Sequence, residues 1–197
     1  MFYPDAVTLR HGVSAAAVLD AIDLSEPGAS IKDSFADLDL SGHGFRILFE
    51  AQWIWREPGQ ASGDSSQTSG EANWDRVSNA AELAEWAQAW DGDDGNADLF
   101  RPDLLGERDV CVLAQRSNGH IVAGAIANRS SSVVGISNVF ALEGVSQQTW
   151  AGLLRAVDLF ASGMPLVGYE HGADLMVALD SGFRAVGPLR IWIHEGP

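Results

Sequence analysis

Lysine is almost missing from this chain: Lys32 is the only one in 197 residues. Arginine supplies the rest of the 12 basic residues, against 27 acidic ones, and the net charge is -15. Nucleic-acid binding rests on neutralising phosphates, so this charge argues against a nucleic-acid partner and against an anionic membrane surface. It favours cationic amines and basic partners, and it also serves plain solubility. Cysteine is as scarce. Cys111 stands alone, so no internal disulfide forms, and the expected compartment is the reducing cytoplasm. One cysteine cannot complete a zinc site with His11, His43, His120, His171 and His194, which show no metal-ligand spacing. No apolar run reaches the length of a membrane span. Residues Met1 to Gly12 include Asp5 and little apolar content, which is not the pattern of a signal peptide. Walker loops and G-x-S-x-G elements are absent.

What is present is an ordinary globular composition, 46% apolar, in a length that suits one well-buried core. The expected organisation is a single domain over 1–197. The stretch Glu57 to Asn73 carries Pro58-Gly59, Ser62-Gly63 and Ser69-Gly70 without a bulky apolar anchor, and is expected to be its most mobile internal loop. Asp91 to Asn96 has the look of a calcium loop, but Pro102 stands where the bidentate Glu is needed, so a solvated turn is expected.

Periodicity predicts the elements. Helices are expected where Asn79 and Glu82 have capping-box spacing ahead of Leu83, Trp86 and Trp90. They are also expected over Gln147 to Ala161, with Ser146 as N-cap and an apolar stripe of Trp150, Leu153, Leu154, Val157 and Phe160. A third holds Leu175, Met176 and Leu179 and ends at Gly182; Val13 to Asp23 is a weaker fourth. Strands are expected at Phe45–Phe49 running on towards Trp55, at Val110–Ala114, Ile121–Ala127, Val133–Phe140 and Leu166–Tyr169. A last pair, Phe183–Val186 and Leu189–Ile193, reads as a hairpin. Asn118-Gly119 is a tight-hairpin signal. The result is a mixed α/β (α+β) fold. Its central sheet is mostly antiparallel, has one parallel pair at the crossover helix and is flanked by helices.

The order meander, crossover helix, strand, helix and a terminal Gly182-Phe183…Val186-Gly187 resembles the GNAT superfamily of acetyl-CoA-dependent N-acetyltransferases, from about Val110 to Ile193. The resemblance implies an acyl-CoA-dependent N-acyltransferase acting on a small amine, with acetyl-CoA as cosubstrate and no metal. It also implies a Gln/Arg-x-x-Gly-x-Gly/Ala loop at the start of the crossover helix, where backbone N–H groups and the helix dipole hold the coenzyme pyrophosphate. Aligned on Leu153-Leu154, the three signature positions are Val145, Gln148 and Trp150. That is a degenerate loop, and it predicts weak or absent acetyl-CoA binding. Trp150 reads better as core. The family's acid tyrosine falls on Ala178. The alternative reading is a catalytically inactive GNAT-fold module for ligand or protein interaction.

Candidate site residues follow. Tyr169, Glu170 and His171, at the C-terminal end of the fifth strand of the motif, offer a base and an acid; the bland alternative is a packed ring, a solvated carboxylate and a helix cap. Asn138 is polar in an apolar strand, and either contacts a ligand or serves a strand bulge. Trp53 and Trp55 share a strand face and, with Glu50, suit a cationic acceptor; core packing or a homodimer contact is the alternative. Gln147, Gln148 and Arg155 on the crossover helix are candidates for the coenzyme, as are Arg116 and Arg129.

Overall fold

The computed structural model describes residues 4–59, 74–92 and 96–196. Most of the loop expected over Glu57 to Asn73, and the middle of Asp91 to Asn96, lie outside the described residues. In chain order the elements are β1 (Ala6–Val7), α1 (Ala15–Leu19), β2 (Ser30–Asp33), β3 (Phe45–Arg56), β4 (Trp74–Arg76), α2 (Ala80–Asp91) and β5 (Val110–Ser117). There follow β6 (His120–Arg129), β7 (Val134–Ala141), α3 (Gln147–Phe160), β8 (Leu166–Glu170), α4 (Gly172–Asp180) and β9 (Arg184–His194). The strand order is β1-β2-β9-β3-β8-β7-β6-β5-β4. β5, β6 and β7 form the expected antiparallel meander, and β7 pairs with β8 in parallel across α3. A second parallel pair, β1 with β2, was not expected.

The chain divides into two compact units. One holds the chain up to Trp53, Glu170–Gly172 and everything from Ala185; the other holds Ile54–Tyr169 and Ala173–Arg184.

In the second unit, two apolar clusters are built from alternate residues of the same strands. Cys111, Leu113, Ala125, Ala127, Val134 and Ile136 meet Trp150, Leu153 and Val157 of α3. Val110, Val112, Ala114, Ile121 and Ile126 meet Leu83, Trp86 and Ala87 of α2. Period-2 alternation on the strands and 3.6-residue stripes on the helices produce this division. Burial pushes the Cys111 thiol pKa up, so the one thiol is a core residue.

Both helix starts behave as their sequences demand. Asn79 Oδ1 accepts the Ala81 and Glu82 N–H groups at 3.1 and 3.0 Å. Glu82 reaches one residue further back than a standard box and accepts the Ser78 N–H at 2.8 Å. Ser146 and Thr149 form a complete capping box on α3. At the hairpin, Asn118 and Gly119 have φ of 50° and 85°, the two left-handed residues that a type I′ turn requires.

In the first unit, Val18, Ile31, Leu38, Leu40, Phe45 and Trp192 make the core. The expected helix over Val13 to Asp23 shrinks to the five residues of α1, capped by Ser14. The hairpin expected after Phe183 is absent: β9 is one strand that runs straight through Gly187-Pro188. Proline needs a strand position with no ladder donor. β2 pairs only with Arg190 to Ile193, and so makes no such demand at Pro188.

Candidate functional site

The parallel pair at the crossover is short. Val134 pairs with Leu166 and Gly135 with Val167, and the register ends there. Gly168 marks the last close approach: a Cβ on it would lie 3.0 Å from the Ile136 carbonyl oxygen. Past that point β7 is irregular. Its register with β6 runs from Ile126↔Ser137 to Gly124↔Phe140, so three steps on β7 span two on β6. The extra residue is a β-bulge, and Asn138 sits in it with φ of +52°. Asn is among the few side chains that adopt this conformation at modest cost. Its Nδ2 donates to Ser137 Oγ at 3.2 Å. A bulge takes backbone groups out of the ladder. Here it does so on the strand that is leaving its parallel neighbour.

The link from β7 to α3 is residues 142–146, and Gly144 within it has φ of +90° with open space where a Cβ would be. α3 begins at Gln147. Sequence register on Leu153-Leu154 carried the third signature position to Trp150, one turn inside the helix. The structure places Trp150 in the core, 1% exposed, with its ring 4.9 Å from that of Phe183. The segment ahead of the helix is Gly144-Val145-Ser146, and Gly144 is a residue that reading by sequence did not single out. The Ser146-x-x-Thr149 box was the signal that could have located it.

The predicted site residues divide as follows. In the second unit, Tyr169 is half-buried on β8 and Asn138 half-buried on β7. Gln147 and Gln148 are exposed in the first turn of α3, and Gln147 Nε2 donates to Asp180 Oδ2 at 3.4 Å. Arg155 is exposed two turns further on, about 12 Å along the axis from Gln147. Arg116 and Arg129 are engaged with Glu85 at 3.0 Å and Asp109 at 2.8 Å. Trp55 lies under the Arg184 guanidinium, 6.0 Å from its ring centroid, and its buried Nε1 has no hydrogen-bond partner among the described residues. Ala178, at the family's tyrosine position, is fully buried in the core and has no proton to give.

In the first unit, Glu170 ends β8 half-buried, and His171 is exposed with its ring stacked on Phe49 at 4.8 Å. Glu50 accepts two bonds from Arg190, at 2.7 and 3.0 Å. Trp53 donates its indole N–H to the Ser34 carbonyl at 2.9 Å, and Lys32 Nζ stands 4.9 Å from its ring centroid. Both tryptophans proposed for a cationic acceptor thus already hold a cation of this chain. No group of three or more His, Cys, Asp or Glu is placed to hold a metal among the described residues.

By sequence, no protein-family model and no curated protein matches this chain. Solved structures do. A GCN5-related N-acetyltransferase from Kribbella flavida superposes with a TM-score of 0.58 at 19% identity, covering 86% of this chain and 68% of that one. The chain has the GNAT fold. A GNAT-family acetyltransferase from Colwellia psychrerythraea gives a TM-score of 0.53 at 10% identity, over 87% of this chain and 65% of that one. A functionally unknown conserved protein from Staphylococcus epidermidis gives 0.69 at 15% identity, over 91% and 75%. The split between β7 and β8 and the bulge at Asn138 belong to the part of the GNAT fold that sequence resemblance had picked out. No described helix is long and apolar enough to cross a membrane.

Proposed function

We propose that this protein is an acyl-CoA-dependent N-acyltransferase acting on a small amine. The observation that carries the reading is the early end of the β7–β8 pair beside the bulge at Asn138. It leaves strand backbone for an acyl carbonyl at the C-terminal side of the sheet, where open sheets take their ligands. The amides at the start of α3, with Gly144 and Ser146 ahead of them, are the groups to meet a pyrophosphate. Ala141 then takes the Gln/Arg position, so Gln147, Gln148 and Arg155 supply the remaining polar contacts. Acyl transfer needs a base for the ammonium and an acid for the leaving thiolate. Glu170 or His171 serves as base and Tyr169 as acid, since Ala178 serves as neither. The reading fits a reducing cytoplasm.

A second reading, a GNAT-fold binding module without turnover, is favoured by one observation: the buried Ala178 removes the usual acid. Titration calorimetry with acetyl-CoA separates the two. Saturable binding, followed by turnover with a panel of amines, supports the transferase. Absence of heat at millimolar coenzyme overturns it.

A further inference from the structure

We propose that the hollow between the end of β3 and the C-terminal half of α3 binds a zwitterion with an apolar side chain, an α-amino acid of the phenylalanine or leucine type. The hollow measures about 500 Å³, within the range of small-molecule sites. Leu154, Val157, Met164 and Leu166 give it an apolar floor, and all but Met164 are buried. Arg56 closes the β3 side, and its Nε donates to the Ser181 carbonyl at 3.4 Å. Arg155 and Asp158 stand on the α3 side. They are three residues apart on one helix, which makes them neighbours on its surface.

These two charges decide the ligand class. Among the described residues neither side chain makes a hydrogen bond or an ion pair, with the other or with a third group. An apolar acid entering the hollow would set its carboxylate beside Asp158, and an apolar amine would set its ammonium beside Arg155. Each arrangement carries a like-charge cost. A zwitterion meets both groups. Its carboxylate takes the Arg155 fork and its ammonium takes Asp158, while its side chain covers Leu154 and Val157. Leu159, 89% exposed, adds an apolar rim to the same hollow.

The hollow lies apart from the place proposed for acyl transfer. Leu166 opens β8, and Tyr169 follows three residues on, about 10 Å along the strand. α3 offers its first turn to the coenzyme and its second half, from Leu154 on, to the hollow. Arg155 is common to this site and to the coenzyme; Asp158 serves this site alone. No bond is made or broken here and no thioester is needed, so failure of acetyl-CoA binding leaves the site untouched.

The test is titration calorimetry of the full chain with L-phenylalanine and L-leucine at physiological salt. Saturable binding is expected, with a dissociation constant of about 0.1–1 mM. Phenylpropionate lacks the ammonium, phenethylamine the carboxylate and glycine the apolar side chain. Each should bind about fivefold or more weakly than phenylalanine. Arg155→Gln and Asp158→Asn should each weaken phenylalanine by a similar factor. Met164→Trp, shown to be folded by circular dichroism, narrows the hollow and should abolish binding. Three results overturn the proposal: no saturable heat at about 10 mM phenylalanine, equal binding of any one of the three comparators, or a folded Asp158→Asn variant of unchanged affinity.

Discussion

Trp86 occupies the space that a side chain at position 124 would need. The Cβ of any residue there would collide with Trp86 Nε1 and lie 2.5 Å from Phe140 Cε1. The indole cannot retreat cheaply, because it donates to the Leu113 carbonyl at 2.9 Å and packs edge-on against Phe100 and Phe140. Gly124→Ala is therefore expected to destabilise by about 1–3 kcal/mol, as overpacking of a filled core does. Urea denaturation reads this as a lower midpoint with an unchanged slope. A midpoint equal to wild type would show that the core is looser than described.

Asn138 gives a prediction that separates backbone from side chain. Its φ of +52° suits glycine and strains a β-branched residue. Asn138→Gly should stay within about 0.5 kcal/mol of wild type, and Asn138→Val should lose about 1–2 kcal/mol. If the amide side chain contacts the substrate, the Gly variant loses kcat/KM while keeping its melting temperature. Full activity in that variant would leave the bulge as the only role of Asn138.

Acid sensitivity should be traceable to Glu85. The bond from Arg116 at 3.0 Å is the main cause holding its carboxyl below the usual range, and the Ile121 N–H adds to it at 3.3 Å. A carboxylate depressed in the folded state contributes stability above its unfolded pKa. That contribution is lost as pH falls through the folded one. The pair is partly exposed, so the effect is small, about 0.5 kcal/mol. Glu85→Gln should melt lower at neutral pH and show a flatter acid limb below the ordinary glutamate pKa. Parallel wild-type and variant curves would remove Glu85 from the account.

Among the catalytic candidates, Tyr169→Phe, Glu170→Gln and His171→Ala are expected to divide. A true acid or base should cost about 10²–10⁴ in kcat once a substrate amine is found. His171 is exposed and stacked on Phe49, so its replacement should leave the melting temperature within about 1 °C while lowering kcat if it is the base. Unchanged turnover in all three would send the search for the proton path elsewhere.

Much of the architecture was legible because local and tertiary demands agree. Asn118-Gly119, Ser146 with the α3 stripe, and Gly182 with φ of +91° each do what their chemistry prefers. The failures have physical causes. Gly187-Pro188 reads as a turn, but β2 pairs only with Arg190 to Ile193 and asks no ladder donor of Pro188, so β9 continues. β2 and β4 are too short, at four and three residues, to show a period. The candidate site was legible as a place rather than as a set of contacts. The leucine pair carries the third signature position to Trp150, which lies inside α3 and in the core. Nothing in the spacing of Glu50, Trp53 and Trp55 shows that Arg190, Lys32 and Arg184 already engage them.

The bulge on β7 also has a consequence for the core. Val134 and Ile136 face the α3 cluster, and strict alternation would send Phe140 the same way. One inserted residue shifts the strand by half a period, so Val139 falls on the α3 side and Phe140 crosses to Trp86 on the α2 side. Asn138 is thus a phase switch written into a single strand. Deleting that one residue would make the two strands match step for step from Ser137 to Phe140, so the bulge would go while Val139 and Phe140 kept their layers. Ironing the bulge out at full length would instead send the phenyl ring to the α3 layer and leave a ring-sized hole beneath Trp86.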